Sequence, residues 1–405
     1  MNLKRLKNSL EKINSFNSTP EKGISRLSFS SEYEQSLKYL ISEMEKLDMG
    51  IYFDEIGNLF GKYSKNTEKE ESVMVGSHID SVKNGGRFDG VVGVMGALEV
   101  IRTIDKNNIA LKHPIELVAF VEEEGTTFGS TLLGSKFFID EIKDFSRYTD
   151  DDGVFILEKA EEFTIKKDYK KRGNTPIKAV LEMHVEQGNV LYSENITIGV
   201  VTNIAGVNWL SIVLKGQSNH AGSTPMHLRK DPFPTAGLII NEVEKIAKNC
   251  PFSDTLVGTA GSIKVTPNVT NVIPSEVEIN VDVRDISQKG MDYLVTNLKE
   301  FAEKLIEDSE IELFIDVEET APPIKLSDKI MNIISEKAEK RSFDFKHMHS
   351  GAVHDSSLLA KKYDVGMIFV PSIDGISHAP EEATEYEDIE KGANVLLDTV
   401  LELST

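Results

Sequence analysis

Residues 72–104 read SVMVGSHIDSVKNGGRFDGVVGVMGALEVIRTI, and this stretch decides the fold class. The apolar run at 72–76 predicts a buried strand, and the apolar spacing at 91–104 predicts a helix. A second apolar run at 115–121 predicts the next strand. Strand, helix and strand in this order indicate an α/β layer whose strands are mostly parallel.

The pattern extends in both directions and changes character near residue 207. Before that point, residues 31–46 have helical spacing and residues 179–185 form another apolar strand pattern. After it, the predicted order is strand, helix, strand, strand, helix, strand, at 209–215, 232–248, 255–265, 276–284, 291–306 and 311–317. That order is the ferredoxin-like split unit, and the apolar–polar alternation at 276–284 predicts an antiparallel sheet covered on one face.

The α/β pattern resumes after the Ala-Pro-Pro turn at 321–323. A helix is predicted from residue 328, a strand at 365–370 and a last helix from about residue 383. We therefore expect a discontinuous main domain at 1–207 and 322–405, with a smaller ferredoxin-like domain inserted at 208–321.

Length and charge narrow the class of function. The 405 residues allow two or three domains and a large core. Lys and Arg number 45 against 66 Asp and Glu, which gives a net charge of −21. That balance argues against a protein that binds the nucleic-acid backbone and against a polybasic membrane anchor. The single cysteine, Cys250, excludes an intrachain disulfide and a cysteine-rich metal site.

Targeting signals are not evident in the sequence. The N-terminus has basic residues but lacks the apolar core of a signal peptide. No run approaches the ~18 apolar residues of a spanning helix. We therefore expect a soluble, cytoplasmic protein that binds neither membrane nor nucleic acid.

Side chains that carry chemistry follow the first predicted strand. His78 leaves this strand, Asp80 points the same way in an extended segment, and Asp89 follows in a glycine-flanked loop. A carboxylate at position 80 could fix the imidazole tautomer, and the loop could return Asp89 toward His78. The alternative is an ordinary turn, since Asn-Gly and Asp-Gly are common turn dipeptides.

Three further strand ends carry candidate ligands. Glu122, Glu123 and Glu124 follow one another at the end of the strand at 115–121, where burial is costly unless a cation or solvent compensates. The alternative there is a solvated acidic loop. His184 lies at the end of the strand at 179–185, and His378 follows the strand at 365–370. Each histidine taken alone is more often structural than a ligand.

Together these strand ends offer five ligands: His78, Asp89, Glu124, His184 and His378. Open α/β sheets place ligands at the carboxyl ends of their strands. Nitrogen and carboxylate donors without thiolate suit Zn²⁺, Mn²⁺, Co²⁺ or Ni²⁺. Five such ligands could hold two ions if one carboxylate bridges them, and a spare glutamate could take the proton of a water molecule.

Seven ordered motifs resemble those of the M20 metallohydrolases, and within them the hydantoinase/carbamoylase amidases. The resemblance covers nearly the whole chain and includes the inserted domain. HVEQG favours this branch over the related peptidases, in which an acidic residue is expected at the equivalent ligand position. The motifs are GSHIDSVKNGGRFDG (76–90), EEEG (122–125), HVEQG (184–188), GQSNHAGSTPM (216–226), NVIP (271–274), VDVRD (281–285) and SHAPEE (377–382).

The resemblance implies two divalent metal ions per subunit and a role for each ligand. It implies that His78, Asp89 and His184 hold one ion, and that Asp89, Glu124 and His378 hold the other. By the same resemblance, Glu123 is the general base and His220 stabilises the oxyanion, reaching a site in the partner subunit. The inserted domain then serves as a lid and as the dimerisation surface of a homodimer.

The resemblance also implies a small-molecule substrate with a ureido group. The substrate-binding residues that it implies are Gln187, Asn271, Arg284, Gly351 and Ala352. A guanidinium suits a substrate carboxylate because it donates two parallel hydrogen bonds. The residues alone favour another interpretation for Arg284, which is a surface ion pair with Asp282 or Asp285.

The implied reaction is hydrolysis of the carbamoyl C–N bond of N-carbamoyl-L-amino acids to amino acid, CO₂ and ammonia. Allantoate amidohydrolase chemistry is the nearest alternative, since the same motifs serve both substrates. An M20 aminoacylase or dipeptidase is a broader alternative. A non-catalytic binding protein is a further class, but its expected loss of ligands is not seen here.

Overall fold

The computed structural model describes residues 1–65 and 67–405, in which strands and helices alternate along most of the chain. The strands are β1 (Gly50–Phe53), β2 (Leu59–Tyr63), β3 (Ser72–His78), β4 (Ile115–Phe120), β5 (Lys170–Lys171), β6 (Ile177–Val185), β7 (Ile198–Ile204), β8 (Gly206–Lys215), β9 (Asn219–His220), β10 (Val257–Thr266), β11 (Val272–Ile273), β12 (Glu276–Asp285), β13 (Glu312–Ala321), β14 (Ile324–Lys325), β15 (Phe345–Ser350) and β16 (Val365–Val370). The α-helices are α1 (Leu3–Asn14), α2 (Ser31–Glu45), α3 (Val91–Lys106), α4 (Leu133–Phe138), α5 (Ile156–Glu162), α6 (Val190–Glu194), α7 (Pro232–Lys248), α8 (Gln288–Ile306), α9 (Asp328–Lys340), α10 (Asp355–Leu359) and α11 (Tyr386–Ser404). The predicted α/β class is confirmed.

Four parallel strands, in the order β16-β6-β3-β4, form the centre of the larger sheet. β2 and then β1 continue the sheet as antiparallel strands beside β4, and β7 runs antiparallel to β16 on the other side. Every residue of β3, β4 and β16 is buried. Strands covered on both faces read as continuous apolar runs, which is why the sequence showed them clearly.

Helix α3 lies close against this sheet, and its glycines permit the approach. Thirteen of its sixteen residues are buried, so the helix is covered by other parts of the fold on nearly all sides. A Cβ added at Gly93 would lie 2.6 Å from the Met183 carbonyl oxygen and 2.7 Å from Ser77 Cβ. The helix can therefore pack against β3 and β6 only with a glycine at this position.

The chain divides into two compact units, one at 1–202 and 325–405 and the other at 203–324. The second unit holds a four-stranded antiparallel sheet in the order β10-β12-β8-β13. Alternate residues of β12 are buried in one hydrophobic cluster with apolar residues of α7 and α8. Both helices therefore cover the same face of this sheet. The two-residue strands β9 and β11 pair beside this sheet.

Most long elements lie where the sequence pattern predicts them, and α7 and β16 have the predicted bounds. The last helix is an exception, because α11 begins at Tyr386 rather than near residue 383. The carbonyl of Ala383 instead accepts a hydrogen bond from Ile373 N, which holds the preceding segment outside the helix. Within the described residues, no helix combines the length and apolar character needed to cross a membrane.

Candidate active site

Strand β3 delivers His78 to the edge where the central parallel strands end. His78 is the last residue of the strand and is buried. Its Nδ1 lies 3.1 Å from the Asp80 carbonyl oxygen and 3.6 Å from Asp80 Oδ1. These oxygens favour a proton on Nδ1, so Nε2 presents its lone pair to the site. Asp80 thus lies where the sequence predicted a partner for this imidazole.

The loop between β3 and α3 brings Asp89 back to His78. The loop ends at Gly90, whose φ is 64° and where an added Cβ would lie 2.4 Å from His78 Nε2. The buried Glu382 fixes the loop, because its Oε1 accepts hydrogen bonds from Phe88 N at 2.8 Å and from Asp89 N at 3.1 Å. The glycine-flanked segment is therefore more than a simple surface turn.

Asp89 lies between three imidazoles. Its Oδ1 is 3.0 Å from His184 Nε2 and 3.6 Å from His78 Nε2. Its Oδ2 is 3.1 Å from His378 Nε2. The two oxygens of one carboxylate therefore face two different sets of ligand atoms.

His184 and His378 reach Asp89 from two other strand ends. His184 lies in β6, and its Nδ1 is 2.9 Å from the Val185 carbonyl oxygen, an arrangement that directs Nε2 toward Asp89. His378 follows β16 in a loop and has a φ of 54°. Its side chain is 50% exposed, whereas His184 is buried, so the site is open to solvent on the His378 side.

The three glutamates after β4 separate into different roles. Glu122 has a φ of 54° and turns inward, where its Oε1 accepts hydrogen bonds from Thr127 N and Phe128 N. Glu123 Oε2 lies 3.6 Å from His78 Nε2. Glu124 Oε2 lies 3.4 Å from His378 Nε2. The positive φ of Glu122 breaks strand alternation, so neighbouring glutamates both face the site.

Ligand atoms gather here in overlapping sets, each with its atoms within 4.8 Å of one another. One set is His78, Asp89 and His184, and another is Asp89, Glu124 and His378. The two sets share Asp89, and together they hold the five ligands that the sequence predicted. Two further sets lie beside them: His78, Glu123 and Glu124, and Glu182, His184 and His354.

The buried charges of the site perturb one another. Burial works to raise the pKa of Asp89, but the imidazoles around it, His184 first, hold that pKa well below its usual range. Burial raises the pKa of Glu123 well above its usual range, and burial together with Asp89 raises that of Glu124 to about 8. The hydrogen bond with Asp89 raises the pKa of His378 to about 9. Added positive charge would therefore stabilise the ionised carboxylates.

Divalent cations fit this donor set. Imidazole nitrogens and carboxylate oxygens without thiolate are ligands of Zn²⁺, Mn²⁺, Co²⁺ and Ni²⁺. Gln187 Nε2 donates to Asp89 Oδ2 at 2.7 Å, while Gln187 Oε1 is buried without a hydrogen-bond partner among the described residues. A buried acceptor of this kind beside two ligand sets is compatible with a bound cation or water.

A cavity of about 420 Å³ adjoins the site through Gln187. Gly351 and Ala352 line it, as does Gln187, so three of the predicted substrate-binding residues share one cavity. Val190 and Met348 add apolar surface to its wall. The volume lies in the range of small-molecule pockets.

The other predicted site residues belong to the second unit. Asn271 O accepts a hydrogen bond from Ala221 N, beside the β9–β11 pair that contains His220. His220 Nδ1 accepts hydrogen bonds from Gly222 N and Ser223 N, so the neutral ring carries its proton on Nε2.

Arg284 is paired within its own strand. Its Nε lies 2.9 Å from Asp282 Oδ1. The sequence alone favoured an ion pair of Arg284 with Asp282 or Asp285, and the structure has the pair with Asp282. The side chain is about one quarter exposed, so the guanidinium is near the surface of the second unit.

The site combines clustered candidate metal ligands with a glutamate outside the two main sets. A comparison with family models gives a match over most of the chain. Residues 74–402 match the sequence profile of peptidase family M20/M25/M40. The chain belongs to this family. The match begins within β3, so the M20 profile covers all the predicted ligands.

Relatives within the M20 family match the chain over nearly its full length. The N-carbamoyl-L-amino-acid amidohydrolase of Pseudomonas sp. (strain NS671) is 37% identical and covers 98% of this chain and 97% of its own. The allantoate amidohydrolase of Bacillus subtilis (strain 168) is 31% identical and covers 98% and 96%. The crystal structure of a hydantoinase/carbamoylase family amidase from Burkholderia multivorans is 32% identical, covers 100% and 98%, and has a TM-score of 0.91.

Sequence reasoning missed several buried polar side chains around this M20 site. Glu382 lies in a quoted motif, four residues after His378, but its role in fixing the Asp89 loop depends on tertiary contacts. Glu182, which lies two residues before His184 in β6, accepts hydrogen bonds from Ser77 Oγ and Ser356 Oγ. No sequence pattern identifies Arg26, whose guanidinium is buried near the same edge.

Proposed function

We propose that this protein is a metal-dependent amidohydrolase that cleaves the ureido C–N bond of N-carbamoyl-L-amino acids. The observation that carries the proposal is the position of Asp89, whose two oxygens face His184 at 3.0 Å and His378 at 3.1 Å, with Glu123 nearby. Similarity to N-carbamoyl-L-amino-acid amidohydrolases over the full chain supports this substrate class.

Two divalent ions per subunit, of Zn²⁺, Mn²⁺, Co²⁺ or Ni²⁺, belong to this proposal. His78, Asp89 and His184 would hold one ion, and Asp89, Glu124 and His378 would hold the other. When bound, the ions supply Lewis acidity that lowers the pKa of water and offsets the negative charge of the transition state. The clustering of ligand atoms within 4.8 Å supports both assignments.

Glu123 is the general base in this proposal. Its carboxylate is buried beside His78 but lies outside the two sets of candidate ligands that share Asp89. It is therefore available to accept a proton and to donate it again. Glu123 takes a proton from the attacking water as the new C–O bond forms at the carbamoyl carbon. It then delivers that proton to the amino-acid nitrogen as the C–N bond breaks. The released carbamate decomposes to CO₂ and ammonia.

Substrate binding is assigned to residues of both units. The cavity lined by Gln187, Gly351 and Ala352 would take the part of the substrate beyond the ureido group. Arg284 would donate two hydrogen bonds to the substrate carboxylate and Asn271 would assist it. His220 would stabilise the oxyanion, which is consistent with its proton on Nε2.

The proposal also gives each of the two domains a role. Residues 1–207 and 322–405 would form the catalytic domain, and 208–321 would be the lid and dimerisation domain. We propose a cytoplasmic homodimer in which His220 reaches the site of the partner subunit. Closure of the lid would bring Arg284 to the substrate and exclude water.

Allantoate is the second candidate substrate. Allantoate amidohydrolases of Bacillus subtilis and Escherichia coli are 31% and 32% identical to the chain over nearly its full length. The two reactions share the ureido group and the same catalytic residues. Ammonia release by metal-stripped protein reloaded with Mn²⁺, offered N-carbamoyl-L-amino acids and allantoate in parallel, distinguishes the two substrates.

A further inference from the structure

The segment before the M20 match makes direct contact with the loop that carries the ligands. The family match begins at residue 74, whereas residues 13–28, here called the N-terminal segment, lie well before it. Ile24 and Gly85 exchange two backbone hydrogen bonds, of 2.9 Å and 2.7 Å. Asn14 Nδ2 donates to the Arg87 carbonyl oxygen at 2.7 Å. The N-terminal segment therefore holds the loop between His78 and Asp89.

Arg26 is the central residue of these contacts. It is 1% exposed, and its guanidinium donates from Nε to the Ile79 carbonyl oxygen at 2.6 Å. Nη1 donates to the carbonyl oxygens of Ile13 at 3.1 Å and Phe16 at 3.4 Å. One side chain thus joins the end of α1 to the peptide between two residues of the site, His78 and Asp80.

The backbone of Arg26 also binds the segment that follows His78. Arg26 N donates to Ser81 Oγ at 2.9 Å, and Ser81 N donates to the Arg26 carbonyl oxygen at 3.2 Å. The segment 79–81 is therefore held from both the side chain and the main chain of one residue. Ser28 extends the contact to the neighbouring strand end, because its Oγ accepts a hydrogen bond from Glu122 N.

The charge of Arg26 interacts with one buried carboxylate, that of Asp80. Burial lowers its pKa to about 10, and the electrostatic interaction with Asp80 favours the charged form, so the guanidinium is a cation at neutral pH. Asp80 in turn accepts a hydrogen bond from Glu124 N through Oδ2 and lies 3.6 Å from His78 Nδ1. Arg26 thus interacts electrostatically with a carboxylate that itself contacts His78 and Glu124.

We propose that Arg26 is a positioning residue for the metal centre. It fixes the Ile79 carbonyl and the backbone of Ser81 on either side of Asp80, and through Asp80 the imidazole of His78 and the backbone of Glu124. Its buried positive charge also offsets the nearby charge of Asp80 while leaving the proposed metal ligands unblocked. This inference rests on the proposed metal-dependent function, but it concerns metal affinity rather than the identity of the substrate.

The test compares three variants of the full chain: Arg26→Met, Arg26→Lys and Arg102→Met. Arg102 is a matched control, since it is also a buried arginine, 7% exposed, but pairs with Glu43 and Ser9 at the far end of α3. Metal-stripped proteins are titrated with Mn²⁺ by calorimetry, and bound metal is counted by mass spectrometry. Thermal unfolding of the metal-free proteins reports the structural cost of each change.

We expect Arg26→Met to bind Mn²⁺ at least tenfold more weakly than wild type, and Arg26→Lys to recover part of that loss by restoring the charge. Arg102→Met should lose thermal stability with Mn²⁺ affinity within twofold of wild type. Unchanged affinity in Arg26→Met overturns the proposal, as does a loss of affinity in Arg102→Met of the same size. If Arg26→Met does not fold, the affinity of Arg26→Lys decides: twofold or less from wild type overturns the proposal.

Failure of the proposed function gives a different result. Wild-type protein that binds Mn²⁺ but releases no ammonia from any ureido compound would reject the function and leave the Arg26 affinities interpretable. Wild-type protein that releases ammonia, with Arg26→Met matching its Mn²⁺ affinity, would reject only the positioning role.

Discussion

At the scale of single residues, Asp89 connects the two ligand sets. Its oxygens face His184 and His378 at nearly equal distances, and Glu382 and Gly90 hold its loop in place. If two ions bind as proposed, Asp89 would be a ligand of both. Loss of its charge should therefore affect both ions rather than one.

Replacing Asp89 by Asn tests the bridge. Asp89→Asn keeps the shape of the side chain but removes its negative charge, so we expect fewer than one tightly bound ion per subunit and at least a ~10³-fold loss of turnover. Mass spectrometry of metal in the purified variant gives the count. Two tightly bound ions in Asp89→Asn would show that the carboxylate is not a bridge.

Replacing Glu123 by Gln separates proton transfer from metal binding. Glu123→Gln removes the base but no proposed ligand, so turnover should fall by about 10²–10⁴-fold while both ions remain bound. Steady-state ammonia release and metal analysis on one preparation check this. Retained turnover would refute the general-base assignment, and lost metal would make Glu123 a ligand instead.

The clustering of the candidate ligands was predictable from sequence because their positions depend on strand ends. His78 and His184 lie in or at the end of apolar strands, whose parallel pairing places them at one edge. Arg26 and Glu382 could not be predicted, since each acts through contacts with residues dozens to hundreds of positions away. The pair between Arg284 and Asp282 was foreseen because the two residues lie on one face of a single strand.

At the scale of elements, strand β15 and the turn after β6 enclose the cavity beside Gln187. β15 supplies Met348, and the residues that follow it are Gly351 and Ala352. The small side chains at 351 and 352 leave a volume of about 420 Å³. We expect this volume to set the size limit for the substrate side chain.

Filling the cavity should change substrate preference rather than abolish turnover. Ala352→Phe should lower kcat/KM for N-carbamoyl-L-phenylalanine by at least tenfold but that for N-carbamoylglycine by less than threefold, since only the larger substrate needs the volume. Val190→Ala, which enlarges the same cavity, is the control and should spare both substrates. If Ala352→Phe lowers kcat/KM equally for both substrates, the substrate side chain does not occupy this cavity.

Element prediction succeeded for the long helices of the second unit and failed for the short strands, although the twelve-residue helix α1 was missed as well. The 17 residues of α7 and the 19 of α8 show regular apolar spacing that tertiary contacts only reinforce. The two-residue strands β9 and β11 have no period to detect, although β9 contains His220. The start of α11 at Tyr386 depends on the contact of Ala383 with Ile373, which sequence cannot show.

At the scale of the whole molecule, the proposed homodimer would associate through residues 208–321. The second unit exposes large apolar side chains, with Met226 77% and Leu228 64% exposed, as expected for a surface that binds a partner. Light scattering should therefore give about 90 kDa, twice the 45.0 kDa chain. A monomer that remains fully active would contradict the role of His220 in a partner site.

The most direct test of the central claim is ammonia release by metal-stripped protein reloaded with Mn²⁺, with N-carbamoyl-L-amino acids and allantoate as parallel substrates. The metal-stripped form should be inactive and the reloaded form should release ammonia from the carbamoyl amino acids. Release from allantoate alone would keep the residues but change the substrate. Ammonia release from neither compound, with both ions bound, would contradict the proposed amidohydrolase.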